Sequence, residues 1–168
     1  KHLPGHGRGA VDSHKELPRV DADLATLRGQ DFAAFRALRQ LPLGMSAHVV
    51  YSAIDPDRPG TVSPTVIETM IRGEIGFDGF LFTDDICMAA LDGSPADRAE
   101  AALSAGCDAV LHCSGVLSEM IEVSGAVGQL SRSADSRWTR ARAARQKPEG
   151  ADIGELAETL AAQFENGI

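Results

Sequence analysis

The sequence predicts an α/β fold with a parallel sheet, and two observations carry that prediction. Short, nearly continuous apolar runs at residues 43–51, 79–83 and 107–113 read as strands buried on both faces. Each run is followed by an amphipathic pattern at helical spacing, two of them opening on Ser-Pro (Ser63-Pro64 and Ser94-Pro95). Alternating strand and helix is the pattern of a parallel sheet with helices packed on its faces. Three such units are too few to close a barrel, and they suit the last part of a (β/α)8 barrel, which typically needs about 250 residues.

Taken in order, the first fourteen residues hold three of the five histidines and glycine at positions 5, 7 and 9. Glycine at every second position removes the side chains a helix or strand would pack, so a mobile loop is expected. Leu24, Leu27, Phe32, Phe35 and Leu38 then recur at helical spacing, with Asp21 or Asp31 as N-cap and Gly29 breaking the run in two. A strand over 43–51 follows, then a turn rich in Pro and Asp at 55–60. Ser63 caps the next helix, whose stripe is Val66, Ile67, Met70 and Ile71 and whose stop is Gly73.

The strand at 79–83 runs straight into Asp84-Asp85. A second helix starts at Ser94-Pro95 with Asp97 in its first turn and closes at Gly106. After the strand at 107–113, Leu117, Met120, Ile121, Ser124 and Val127 mark a third helix. A basic helix with Trp138 occupies 132–147 and is stopped by Pro148-Glu149-Gly150. Ile153, Leu156, Leu160 and Phe164 line one stripe of an acidic tail helix. Residues 1–148 are therefore expected to be a portion of a catalytic barrel and residues 149–168 a helical tail.

Bulk properties remove several function classes. A net charge of −8 over 168 residues argues against nucleic-acid or anionic-membrane partners. No apolar run approaches the roughly 20 residues that cross a bilayer. Cys87, Cys107 and Cys113 form no C-x-x-C pair and suit reduced thiols in a cytoplasmic protein. His2, His6 and His14 are irregularly spaced, without an acidic or thiolate ligand to complete a familiar metal motif, so neither metal nor other cofactor is expected. The most chemically loaded stretch begins at Lys1, where termini are usually poor in function, so the early βα units are expected to lie upstream.

Four motifs together resemble the bacterial β-N-acetylhexosaminidases of glycoside hydrolase family 3. They are Lys1-His2-x-Pro4-Gly5-His6-Gly7 followed by Asp12-Ser13-His14; Met45-Ser46-Ala47-His48-Val49; Phe77-Asp78-Gly79 through Thr83-Asp84-Asp85-Ile86-Cys87-Met88; and Ala105-Gly106-Cys107-Asp108. The resemblance runs in order from Lys1 to about Arg145 and leaves out the tail. It implies a (β/α)8 barrel whose N-terminal units this chain lacks and needs for activity. It also implies removal of terminal β-linked N-acetylglucosamine, with retention, from muropeptide fragments of the N-acetylglucosamine-anhydro-N-acetylmuramic acid type in cytoplasmic cell-wall recycling. By position, Asp84 matches the nucleophile, His14 the general acid/base and Asp12 its dyad partner. Lys1 and His2 match residues that hold the sugar hydroxyls. Thr83 and Ile86-Cys87 depart from the family's Ser and Leu-Ser.

The residues suit that chemistry. Retaining hydrolysis needs a nucleophile on one face of the sugar and a proton carrier on the other, and most families use two carboxylates. An imidazole, with an ordinary pKa of about 6.5, both gives and takes a proton near neutrality. Asp12, two residues before His14, fixes its tautomer as the acid does in a Ser-His-Asp triad. Strand alternation alone leaves open whether Asp84 or Asp85 faces the site, and the resemblance selects Asp84. A phosphorylase, in which phosphate intercepts the glycosyl-enzyme, and a non-catalytic sugar-binding module are the alternatives.

Overall fold

The computed structural model describes residues 1–147 and 150–165. The chain runs through β1 (Arg19–Val20), α1 (Leu24–Thr26), a π-helical stretch Leu27–Asp31, α2 (Phe32–Ala37), β2 (Leu43–Met45) and β3 (Val50–Tyr51). A 3-10 turn (Gly60–Val62) and a π-helix (Thr65–Ile75) lead to β4 (Phe80–Asp85), α3 (Pro95–Ala105) and β5 (Ala109–Leu111). Three helices follow: α4 (Leu117–Val127), α5 (Arg132–Ala143) and α6 (Ile153–Glu165).

β2, β4 and β5 pair in that order, all parallel, so the predicted α/β architecture is present. Leu3 adds a parallel bridge to Ser46 and extends the array by one chain segment. β1 and β3 form a separate parallel pair. Among the described residues the array stays open and no barrel closes.

The core lies where the π-helix and the α1–α2 segment cover the sheet. Leu27, Phe32, Ile67, Ile71, Ile75 and Leu81 are all essentially inaccessible there. A second cluster, built on Ile86, Leu91, Ala99 and Val123, joins α3 and α4 to the end of β4. Asp108, almost fully buried, ties β4 to the start of β5. It accepts from the Leu81 N–H (2.9 Å), from Arg72 (2.8 Å) and from Arg137 (2.9 Å). Two guanidinium groups and a backbone donor satisfy that buried carboxylate, which alone would be costly to desolvate.

Several expectations need correction. The single strand at 43–51 is two strands in different sheets. Between them Ser46 Oγ and His48 Nδ1 both bond Thr61 Oγ1 at 2.8 Å, and these side-chain bonds hold the chain where it leaves one sheet for the other. Both pieces are apolar, so the hydrophobic pattern hides the break, although only β3 is buried and Leu43 of β2 is exposed. Gly29 does not divide the first helix, because the chain continues through the π-helical stretch. Neither Asp21 nor Asp31 caps it. Asp23 does, accepting from Thr26 N at 2.7 Å, while Asp21 takes Ser52 Oγ–H and Asp31 takes Arg8.

Gly73 is not the helix stop. The π-helix continues to Ile75, and Gly76, at φ +76°, supplies the left-handed C-cap. Ser63 does receive the Val66 N–H as expected, and Ser94 with Asp97 forms a reciprocal capping box. In α4 the predicted stripe has the wrong phase. Leu117 and Ile121 are 68% and 64% exposed, while Val123 is buried against α3. α5 ends at Ala143 with Ala144 as cap, and the Pro148-Glu149 stop lies outside the described residues. The α6 stripe of Ile153, Leu156, Leu160 and Phe164 is exposed. No helix among the described residues is long and apolar enough to cross a membrane.

Candidate active site

The histidine-rich segment is anchored in the fold by its first residues and largely exposed farther along. Leu3 N donates to Met45 O (2.7 Å), and Ala47 N donates to Leu3 O (2.8 Å). Tyr51 Oη–H, buried in the core, donates to Gly5 O at 2.9 Å. Gly5 has φ +147° and sits against Asp31, where an added Cβ would lie 3.0 Å from the Asp31 Cβ. That position therefore needs glycine for backbone conformation and for closeness. Beyond it, Gly7 meets no neighbour, and Asp12, His14, Lys15 and Glu16 are exposed.

Asp84 is the penultimate residue of β4, held at the C-terminal end of the sheet. Its Oδ2 lies 3.2 Å from His2 Nε2, with 19% of the aspartate side chain and 24% of the histidine side chain exposed. Its Oδ1 accepts the Asp85 N–H at 2.9 Å. The hydrogen bond from His2, aided by the Asp85 amide and opposed by partial burial, holds the Asp84 carboxyl down at about 2. It is therefore an anion at any pH near neutrality.

Asp85 has a different task. Its Oδ1 accepts from Cys87 N and from Cys113 N, both at 3.0 Å, joining the loop after β4 to the loop after β5. His48 is a fully buried, satisfied histidine that bonds Thr61 and the Asp85 carbonyl (2.9 Å), and its burial lowers its pKa. Thr83, where the resembling family has Ser, uses its hydroxyl to accept Leu111 N at 3.0 Å.

His14 Nδ1 lies 2.9 Å from Asp12 Oδ1, which also accepts the His14 N–H at 3.0 Å. Those two bonds, led by the backbone one, lower the Asp12 pKa. An ionised Asp12 only accepts, so Nδ1 carries the proton and Nε2 is left for other partners. This pair is far more open than Asp84, with 77% of the His14 side chain and 50% of the Asp12 side chain exposed.

Lys1, His2, Asp12, His14 and Asp84 all line one cleft of about 450 Å³, together with His6, Gly7, Val11 and Ser13. Every residue singled out from the sequence for catalysis or sugar contact is thus brought to one place. Sequence reasoning weighed His6 only as a metal ligand and gave Ser13 no role. His6 Nε2 lies 3.3 Å from Ser13 Oγ and its ring stands 5.7 Å from that of His2, so it links the two ends of the loop. Its place inside the Pro-Gly-His-Gly run was the available signal. Another cavity, of about 340 Å³, lies between α3, α4 and the segment after α4 and contains none of these residues.

Residues 1–142 match the family model described as the glycosyl hydrolase family 3 N terminal domain. The chain belongs to glycosyl hydrolase family 3. Over 117 residues, or 67% of this family 3 chain, it is 50% identical to a beta-hexosaminidase of Alkalilimnicola ehrlichii, covering 33% of that protein. Its fold is similar to that of a family 3 β-N-acetylglucosaminidase from a Paenibacillus species. The TM-score there is 0.75 and the identity 30%, over 92% of this chain and 33% of that one. It is also similar to NagZ of Neisseria gonorrhoeae in complex with N-trifluoroacetyl-D-glucosamine. That match has a TM-score of 0.72 and 33% identity, over 84% of this chain and 41% of the other. The family 3 chain spans less than half the length of the curated relatives it matches.

Proposed function

We propose that the protein carrying this family 3 chain is a retaining β-N-acetylhexosaminidase, with Asp84 as nucleophile and His14 as general acid/base. The observation that carries the reading is the shared cleft, in which an ionised strand-end carboxylate and an Asp-His pair from a distant loop line the same space. Asp84 attacks the anomeric carbon while His14 Nε2–H protonates the departing glycosidic oxygen, forming a glycosyl ester. His14, now neutral, takes a proton from water, which attacks the same carbon and releases Asp84. Asp12 stabilises the imidazolium and keeps Nδ1 protonated. Lys1 and His2 hold sugar hydroxyls, and His2 also holds Asp84 as an anion.

The parallel array from Leu3 to β5 is read as part of a (β/α)8 barrel within 1–148, completed by further βα units of the intact protein, with 149–168 a separate helical tail. The substrate is a muropeptide fragment ending in β-linked N-acetylglucosamine, processed in the cytoplasm. The names of the beta-hexosaminidase relatives and the N-acetylglucosamine analogue bound in the NagZ structure support the sugar.

The test is trapping. A 5-fluoro N-acetylglucosaminyl fluoride, which keeps the acetamido group and slows hydrolysis of the ester, should leave a covalent adduct on the peptide bearing Asp84. An adduct on Asp85, or none with an active protein, overturns the assignment. Release of sugar phosphate instead of free sugar when phosphate is present identifies a phosphorylase. Binding without turnover identifies a lectin-like module.

A further inference from the structure

We propose that Cys87, His112 and Glu119 form a binding site for a divalent transition metal of the zinc class, outside the catalytic cleft. One ligand atom from each, a thiol sulfur, an imidazole nitrogen and a carboxylate oxygen, lie within 4.8 Å of one another. In a tetrahedral zinc site the ligand atoms stand roughly 3.3–3.7 Å apart, given bonds of about 2.0–2.3 Å. Side-chain rotations that move these atoms by about 1 Å therefore suffice to close the site.

Three different elements deliver the ligands, and hydrogen bonds already hold them in place. Cys87 follows β4, His112 follows β5, and Glu119 lies in the first turn of α4. Asp85 Oδ1 binds the amides of both Cys87 and Cys113, and Ile86 N donates to Leu111 O at 2.9 Å, so the two loops are clamped side by side. Glu119 Oε2 accepts from Ser114 Oγ–H at 2.7 Å and lies 3.0 Å from His112 Nε2. Such outer contacts are what orient ligands around a metal.

The second observation is His112 itself. Its side chain is only 8% exposed, and the ring nitrogen it turns toward the cluster is Nε2, 3.0 Å from Glu119 Oε2, so the ligand face is held inside the fold. Imidazole and thiolate select a soft or borderline metal over magnesium or calcium. With the thiol deprotonated, Cys87 and Glu119 together neutralise a divalent ion, against the opposing charge of Arg98 near Glu119. A water completes the fourth position. Bound there, the metal bolts α4 to the ends of β4 and β5.

Cobalt(II), a spectroscopic substitute for zinc, tests the site in the intact, chelator-treated protein. A thiolate-to-cobalt charge-transfer band should appear, vanish in Cys87→Ser, and need at least about tenfold more cobalt in Glu119→Gln. It should persist in Cys113→Ser and in His14→Ala, which separates this site from any metal held in the catalytic cleft. In the parent protein, zinc should protect Cys87 from iodoacetamide, a readout that needs no variant. No band, a band that survives Cys87→Ser, or alkylation of Cys87 unaffected by zinc overturns the proposal. So does a band that depends on Cys113 or His14.

Discussion

Asp84 and Asp12 are both aspartates beside a histidine, in opposite settings. Asp84 stands on β4 between neighbouring parallel strands, mostly covered, with its two oxygens committed to His2 and a backbone amide. Asp12 stands on a loop with half its side chain in water, and its histidine is more open still. A nucleophile gains from rigidity, because attack along a fixed line is where orientation lowers the barrier most. A proton carrier must serve a leaving group and then a water, and a mobile support suits two successive geometries. In the proposed mechanism the same residue types thus take different roles according to what lies beneath them.

The comparison can be broken from either side. Asp84→Asn should remove hydrolysis by a factor on the order of 10⁴ or more while circular dichroism stays unchanged, as loss of a covalent catalyst does elsewhere. His14→Ala should cost about 10²–10⁴-fold on substrates with poor leaving groups. It should cost far less in the glycosylation step on aryl substrates whose leaving group needs no proton. Equal losses on both would sink the acid/base role.

Tyr51→Phe tests the anchor. It leaves the buried Gly5 carbonyl without its donor and should lower stability by about 1–3 kcal/mol in chemical denaturation. His2→Ala tests the electrostatics of the rigid side. The Asp84 pKa, held at about 2 in the folded protein, should rise toward its ordinary value when its carboxyl carbon is followed by NMR. Because that pKa is depressed on folding, Asp84 adds stability that is complete above about pH 4 and lost as pH falls through about 2. In His2→Ala that acid-sensitive part should shrink. The smallest effect on folding is expected from Gly7→Ala, where nothing lies within 4 Å. Stability should stay within about 0.5 kcal/mol, while a fall in kcat would show that loop freedom matters.

The grouping of the candidate residues in one cleft was more legible than the fold around them. Asp84 at a strand end and the Asp12-x-His14 step are local signals, and the motifs carried them together. Ser94, Asp97 and Gly106 were legible for a similar reason, since capping is written in adjacent residues. The failures were tertiary. Residues 43–51 look like one strand because both halves are apolar, and only the distant Thr61 reveals the change of sheet. In α4 a stripe of period near 3.6 identified the helix, but which side meets α3 depends on Val123 packing beside Ile86 and Leu91. Cys87, His112 and Glu119 share no sequence spacing at all. Attention to the histidines of the first fourteen residues also drew the metal question away from His112.

The hydrogen bond from Tyr51 to Gly5 has a consequence for how this scaffold varies. It fixes the start of the loop in the core, while β1, paired with β3, fixes the chain beyond it, so residues 7 to 14 span two held points. Each inserted residue can extend that span by up to about 3.3–3.6 Å without touching the strand that carries Asp84. In the proposed mechanism, loop length would then set the room beside His14 independently of Asp84.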